Sequence, residues 1–190
     1  PQTEVWSDQF DHLRTEFWKY AFISENERVL LDNLMSRLGQ SLHLDRVSFF
    51  RCQGDIKTCH YVDQWVGAST RALDHWCKLP EWFLKNELTR EYQLVDYQRL
   101  KRLSREMPDY FDGVGSQLII IYGSVSEPSG FFMLETYQQA RQWRNQEIKI
   151  ARDLANIVKL KVEAIESSEQ IRRSEEKLRI ISETARDLVC

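Results

Sequence analysis

The sequence predicts a mixed α+β domain: one antiparallel sheet with flanking helices on one face, crossing loops and short helices on the other, and a long C-terminal coiled-coil helix. Three observations carry this. From Arg144 to Cys190 there is no Gly or Pro, and Ile148, Ala151, Leu154, Ala155, Val158, Val162 and Ile165 recur at threes and fours among charged residues, as in an amphipathic helix. Two pairs of β runs, around 47–66 and 117–134, are separated by turn chemistry. Two amphipathic segments precede them.

Composition sets the bounds. Of 190 residues, 42% are hydrophobic and 12% aromatic, enough for one filled core plus extended helices. A formal net charge of -3 leaves no basic excess for phosphates, which argues against nucleic acid as a partner. No run of eighteen apolar residues exists, and Val5 to Ile23 is broken by Asp8, Asp11, Arg14, Glu16 and Lys19, so the chain is expected to be soluble with no membrane contact. Cys52, Cys59, Cys77 and Cys190 are unevenly spaced, which is read as four reduced thiols in a cytoplasmic protein.

In chain order, Thr3 is a candidate N-cap for a helix whose Trp6, Phe10, Leu13, Phe17 and Tyr20 form one stripe. That stripe either covers a core face or pairs with its copy in a second chain, and dimer contact is preferred. Ser24 to Glu27 reads as a capping box before a helix from about Glu25 to Leu42. Val47 to Phe50 and Tyr61 to Val66 make a hairpin around Gln53-Gly54-Asp55. Pro80 opens a short helix carrying Trp82, Phe83 and Leu88; Leu94, Val95 and Tyr97 form a third strand; Ser104 to Asp112 forms another short helix ended by Gly113 and Gly115. Gln117–Tyr122 and Phe131–Leu134 then form the central hairpin across Ser126-Glu127-Pro128-Ser129-Gly130.

The terminal helix would run ~70 Å at ~1.5 Å per residue, beyond any face this domain offers. Val158, Val162 and Ile165 fit one heptad frame, whereas Ile171, Leu178, Ile181, Ala185 and Leu188 fit another, so the phase slips between Ile165 and Ile171. A parallel homodimer is expected whether the rod transmits motion or is a static stalk.

Asp45-Arg46-Val47-Ser48-Phe49-Phe50, Gln64-Trp65, Leu79-Pro80-Glu81-Trp82, Gly115-Ser116-Gln117-Leu118, and Ser129 to Glu135 through Arg141-Gln142-Trp143 together resemble a GAF domain. The resemblance spans about Ser24 to Val162 and is strongest to GAF domains upstream of PAS, histidine-kinase or GGDEF modules in bacterial signalling proteins. Arg173 to Arg179 and Ile180 to Val189 are similar to a connector and the first turns of a PAS domain. The implied organisation is an N-terminal helix (1–23), a GAF domain (24–162) and a signalling linker (163–190). The implied role is a small-molecule or interaction sensor acting on an attached catalytic domain.

Chemistry-bearing residues are sparse. Cys59-His60 looks like a bilin attachment site, but the matching position in bilin-binding GAF domains falls at about Arg102 to Asp112, where there is no cysteine. Cys52 and Cys59 flank a hairpin turn that lets them face one another, but with His60, His75 and Cys77 they lack metal-ligand spacing, so no metal is expected; haem through His60 or His75 is an alternative. No phosphate-binding loop, nucleophile elbow or metalloprotease helix occurs, and the cysteines do not match the free methionine sulfoxide reductases, which share the fold. No enzymatic activity and no cofactor are therefore expected of this chain. Trp65, Trp76, Trp82, Phe83, Tyr97, Tyr110 and Phe111 are expected around one face of the sheet, where they either line a pocket for an unidentified planar ligand or fill it. The rival functions are a ligand-free dimerisation spacer and a thiol-redox or haem protein.

Overall fold

The computed structural model describes residues 2–52, 59–68, 72–73, 79–137 and 140–187, and within these the side chains of residues 8–182. Its elements are α1 (Gln2–Ile23), α2 (Glu27–Ser41), β1 (Arg46–Cys52), β2 (Cys59–Val66), α3 (Glu81–Glu87), β3 (Tyr92–Val95), α4 (Tyr97–Glu106), α5 (Pro108–Phe111), β4 (Val114–Gly123), β5 (Pro128–Tyr137) and α6 (Asn145–Asp187). The strands make one antiparallel sheet in the order β2-β1-β5-β4-β3.

Strand alternation sorts side chains between two cores. Val47, Phe49, Leu118, Ile120, Phe132 and Leu134 face α2 and α6, while Phe50, Ile119, Ile121, Phe131 and Met133 face α3, α4 and α5. α2 and α6 touch the sheet, and α1 lies on those two helices as an outer layer. Phe10, Leu13 and Phe17 are buried between α1 and its own chain. This corrects the expectation that they meet a second copy: periodicity reports an apolar face without naming what covers it. The side chain of Trp6 lies outside the described residues.

Helix boundaries also shift. α2 is capped by Asn26, whose Oδ1 accepts from Val29 N at 3.0 Å, and Ser24 is buried instead of capping. Tyr97 does not extend a strand; it opens α4, because Asp96 Oδ1 accepts from Arg99 N at 2.9 Å and starts a helix there. The expected helix from Ser104 to Asp112 is split at Met107, which ends α4 and precedes Pro108 of α5.

α6 is one unbroken helix of 43 residues, about 65 Å long at 1.5 Å per residue. Val158 and Val162 are buried in the domain's own core, Ile165 is half-buried, and Leu160, Ile171, Leu178 and Ile181 are exposed. The apparent phase slip is therefore a change of face. The first frame packs inward; the second points outward and continues past the last contact with the domain. Val158 and Val162 are accordingly core residues and not part of a coiled-coil seam. The side chains of Ala185 and Leu188 lie outside the described residues.

Cys52 and Cys59 occupy the last paired position of β1 and β2 and are joined by a disulfide. This corrects the reading of four reduced thiols and removes the ground it gave for a cytoplasmic setting. Their places on either side of the hairpin turn already allowed the two residues to face one another, and the antiparallel register of β1 and β2 sets them opposite each other. Cys77 and Cys190 lie outside the described residues. By the entropy of closing so short a loop, the bond contributes about 2.5 kcal/mol. Thermal unfolding is expected to fall by about 5–10 °C on adding dithiothreitol, at about 2–4 °C per kcal/mol for a chain this size. Cys52→Ser/Cys59→Ser should unfold at the lower temperature with or without reductant; a melting point indifferent to reductant in the wild type would show that the bond is not formed.

Candidate functional site

Two charged residues and two uncharged polar ones sit in the middle of the otherwise apolar crossing-side face of the sheet. Arg46 on β1 and Glu135 on β5 are paired in register, as are Glu135 and Gln117 on β4. Arg46 and Glu135 are 2% and 0% exposed, and Arg46 Nε donates to Glu135 Oε2 at 2.6 Å. Gln117 Nε2 donates to Glu135 Oε1 at 2.7 Å, so both carboxylate oxygens are engaged. Arg46 Nη2 reaches the Tyr110 carbonyl at 3.0 Å, tying β1 to α5, and its guanidinium lies 5.4 Å from the centre of the Tyr137 ring. Burial, reinforced by Glu135, pushes the Tyr137 hydroxyl far above its usual range although Arg46 opposes it.

Ser48 Oγ and Gln117 Oε1 are buried on this face with no protein partner. Atoms of this kind are where a water or the polar group of a ligand is held. Glu87, at the end of α3, is also fully buried and ion-paired to Arg99 of α4; burial raises its pKa against the opposing pull of Arg99.

The expected aromatic ring around the pocket divides. Phe83 and Phe111 are buried, with ring centroids 5.4 Å apart, and Tyr110 packs half-buried beside Phe111. Together with Leu100, Leu103 and Phe131 they fill the space above the sheet. Trp82 is 40% exposed and edge-on to Phe83. Tyr97 borders a cleft of about 400 Å³ between α4 and the start of β4, beside Lys101, Arg105 and Phe111. Trp65 is on the opposite face, packed with the helix-side core against Gly39 of α2. The register shift between Phe49 and Phe50 explains this, since it puts an extra β2 residue between Tyr61 and Asp63 and reverses the faces beyond it. Trp76, His75 and Cys77 fall outside the described residues.

A second cleft, of about 580 Å³, lies where α2 ends and α6 begins, beside His43, Asp45, Tyr137, Arg141 and Glu147. Arg141 Nη1 donates to Leu42 O and Nη2 to Glu147 Oε1, both at 2.6 Å. Its guanidinium lies 4.8 Å from the centre of the Trp143 ring, whose Nε1 donates to Ser116 Oγ at 2.7 Å. Arg141 and Trp143 therefore join the base of α6 to α2 and to β4. Among the described residues no cluster of three or more His, Cys, Asp or Glu could hold a metal ion, and no helix is long and apolar enough to cross a membrane.

This sheet, with α2 and α6 on one face and α3 to α5 on the other, is the GAF fold. No family model matches the sequence, and no curated protein matches it. Solved structures do. The phycoerythrobilin-bound GAF domain of a cyanobacterial phytochrome superposes with a TM-score of 0.68 at 10% identity, covering 86% of this chain and 99% of that one. The blue-light-absorbing PixJ GAF domain of Thermosynechococcus elongatus gives 0.64 at 19% identity, covering 80% and 95%. The free methionine-R-sulfoxide reductase of Neisseria meningitidis, in complex with its substrate, gives 0.61 at 12%, covering 84% and 91%. At these identities the likeness is one of fold.

Proposed function

We propose that this chain is the regulatory GAF domain of a bacterial signal-transduction protein, working as a parallel homodimer in which α6 carries a change of state to a kinase or nucleotide-cyclase output beyond it. The observation that carries the reading is the outer stripe of α6. Leu160, Ala164, Ser167, Ile171, Ser174, Leu178 and Ile181 keep one heptad frame, and beyond Val162 nothing in the domain covers them. Most of a helix's stability in a protein comes from packing its apolar face; two such helices side by side bury the stripe.

A ligand shifts such a relay only if it prefers one arrangement of sheet and helices over the other. Ser48 and Gln117 support a ligand on the crossing side, since each offers an unpaired buried atom there. The fold's neighbours include bilin-bound domains, but the segment from Glu81 to Asp112 has no cysteine to attach one. The specific rival is a ligand-free spacer, favoured by the packing of Phe83, Phe111 and Phe131 over the sheet.

Native mass spectrometry tests both parts. The wild type is expected at twice the chain mass, and a retained small molecule would add to it. Ile171→Asp/Leu178→Asp should give monomers, since it puts four buried carboxylates into the seam. A dimer of unchanged stability in that variant, at micromolar concentration, would remove α6 from the interface.

A further inference from the structure

We infer that the cleft between α4 and the start of β4 is a binding site for a small organic carboxylate with an apolar body, its oxygens held by Lys101 and Arg105. Neither Ser48 nor Gln117 lines this cleft, and the inference does not depend on whether the chain is a dimer.

The cations of α4 point to an anion. The helix carries four of them in ten residues, Arg99, Lys101, Arg102 and Arg105. Arg99 is ion-paired to the buried Glu87, and Arg102 to Glu106. Among the described residues Lys101 and Arg105 have no carboxylate partner, although the chain holds 29 Asp and Glu against 26 Lys and Arg. They stand one turn apart on one face of the helix, where like charges repel. The helix dipole favours a cation in the last turn, which accounts for Arg105 but not for Lys101. An anion shared between the two offsets the repulsion.

The cleft beneath them gives that anion a body. Both cations line it, Ser104 adds a hydroxyl donor beside them, and among the described residues no carboxylate lines it. Leu100, Phe111 and Val114 form its inner side and are buried, so the floor is apolar and continuous with the crossing-side core. Tyr97 stands at the rim, and Lys101 Nζ lies 4.7 Å from the centre of its ring, a cation–π contact that holds the ammonium at the mouth. The volume of about 400 Å³ falls at the small end of ligand sites. An arginine fork takes a carboxylate through two parallel N–H···O bonds, and a lysine adds a point charge. Charge at the mouth over an apolar floor suits an acid whose hydrocarbon part goes in and whose carboxylate stays out. An inorganic ion would leave the floor wet, and a neutral hydrocarbon would leave both cations unused. Val114 pairs with Tyr137 of β5, so a ligand seated here ties α4 to the central hairpin.

The experiment is isothermal titration calorimetry of the full chain with cinnamate as the probe and cinnamyl alcohol as its uncharged counterpart. Cinnamate is expected to bind, and the alcohol to bind about 10-fold or more weakly, since it cannot make the charged hydrogen bonds. Lys101→Ala/Arg105→Ala changes two exposed positions, so it should keep the wild-type circular dichroism while weakening cinnamate by about 10-fold or more. Arg102→Ala removes a cation of the same helix that does not line the cleft, and should leave the dissociation constant within about twofold, because a charge beyond contact is screened. No cinnamate binding up to millimolar concentration would overturn the site. So would unchanged affinity in the double variant, equal affinity for acid and alcohol, or an equal loss in Arg102→Ala.

Discussion

Glu135→Ala is expected to destabilise the domain by about 3–5 kcal/mol, the range for removing one partner of a buried charge pair. The carboxylate accepts from Arg46 and Gln117 at 2.6 and 2.7 Å. Without it Arg46 remains charged, 2% exposed, and the Tyr110 carbonyl cannot balance that charge. The double variant Arg46→Met/Glu135→Leu removes both charges and should cost much less, because the desolvation that made the pair necessary disappears with it. Urea unfolding of the three proteins decides the matter. A single variant within 1 kcal/mol of wild type would mean that water reaches this part of the sheet. A double variant as unstable as the single one would mean that the pair's geometry, and not its charge balance, holds α5 on the sheet.

The architecture was legible because local patterns agreed with the whole. The apolar run of β4, the turn chemistry before β5 and the unbroken terminal helix each allowed one arrangement. Where two signals competed, tertiary context decided. Ser24 and Asn26 are both good caps, and the one that was free of the core took the role. Tyr97 favours a strand, but Asp96 immediately before it caps a helix, and this signal was present in the sequence.

The site was less legible because it depends on register and pairing across long separations. Trp65 changed faces through a single-residue bulge that period-two alternation does not reveal. Arg46, Gln117 and Glu135 stood in the quoted motifs, yet their partnership joins positions 89 and 18 residues apart. A usable signal existed: a charge within each of two apolar strand runs requires an opposite partner on the same face. Phe10 and Phe22 illustrate the remaining gap. Both are aromatic residues on α1, and only the packed structure separates the face turned inward from the one left bare.

Three glycine substitutions should rank by what meets the added methyl group, and Gly130→Ala should be the most damaging. Gly130 sits in β5 between β1 and β4, where a Cβ would run into the backbone carbonyl of Phe50. Backbone in the middle of a sheet cannot swing aside, so β1 and β5 must separate, disturbing the stacking of Phe50 on Phe131 at 4.9 Å. A loss of about 2–4 kcal/mol is expected, at the upper end of overpacking costs. At Gly39 the obstacle is the Trp65 ring, half-buried and able to turn, so about 1–2 kcal/mol is expected. At Gly113 the φ of +76° sets the cost, the nearest atom being a Tyr137 ring carbon at 3.3 Å, and about 1 kcal/mol is expected. Chemical denaturation of all three orders them, and Gly130→Ala falling below Gly39→Ala would show that β1 and β5 are not held as closely as this register requires.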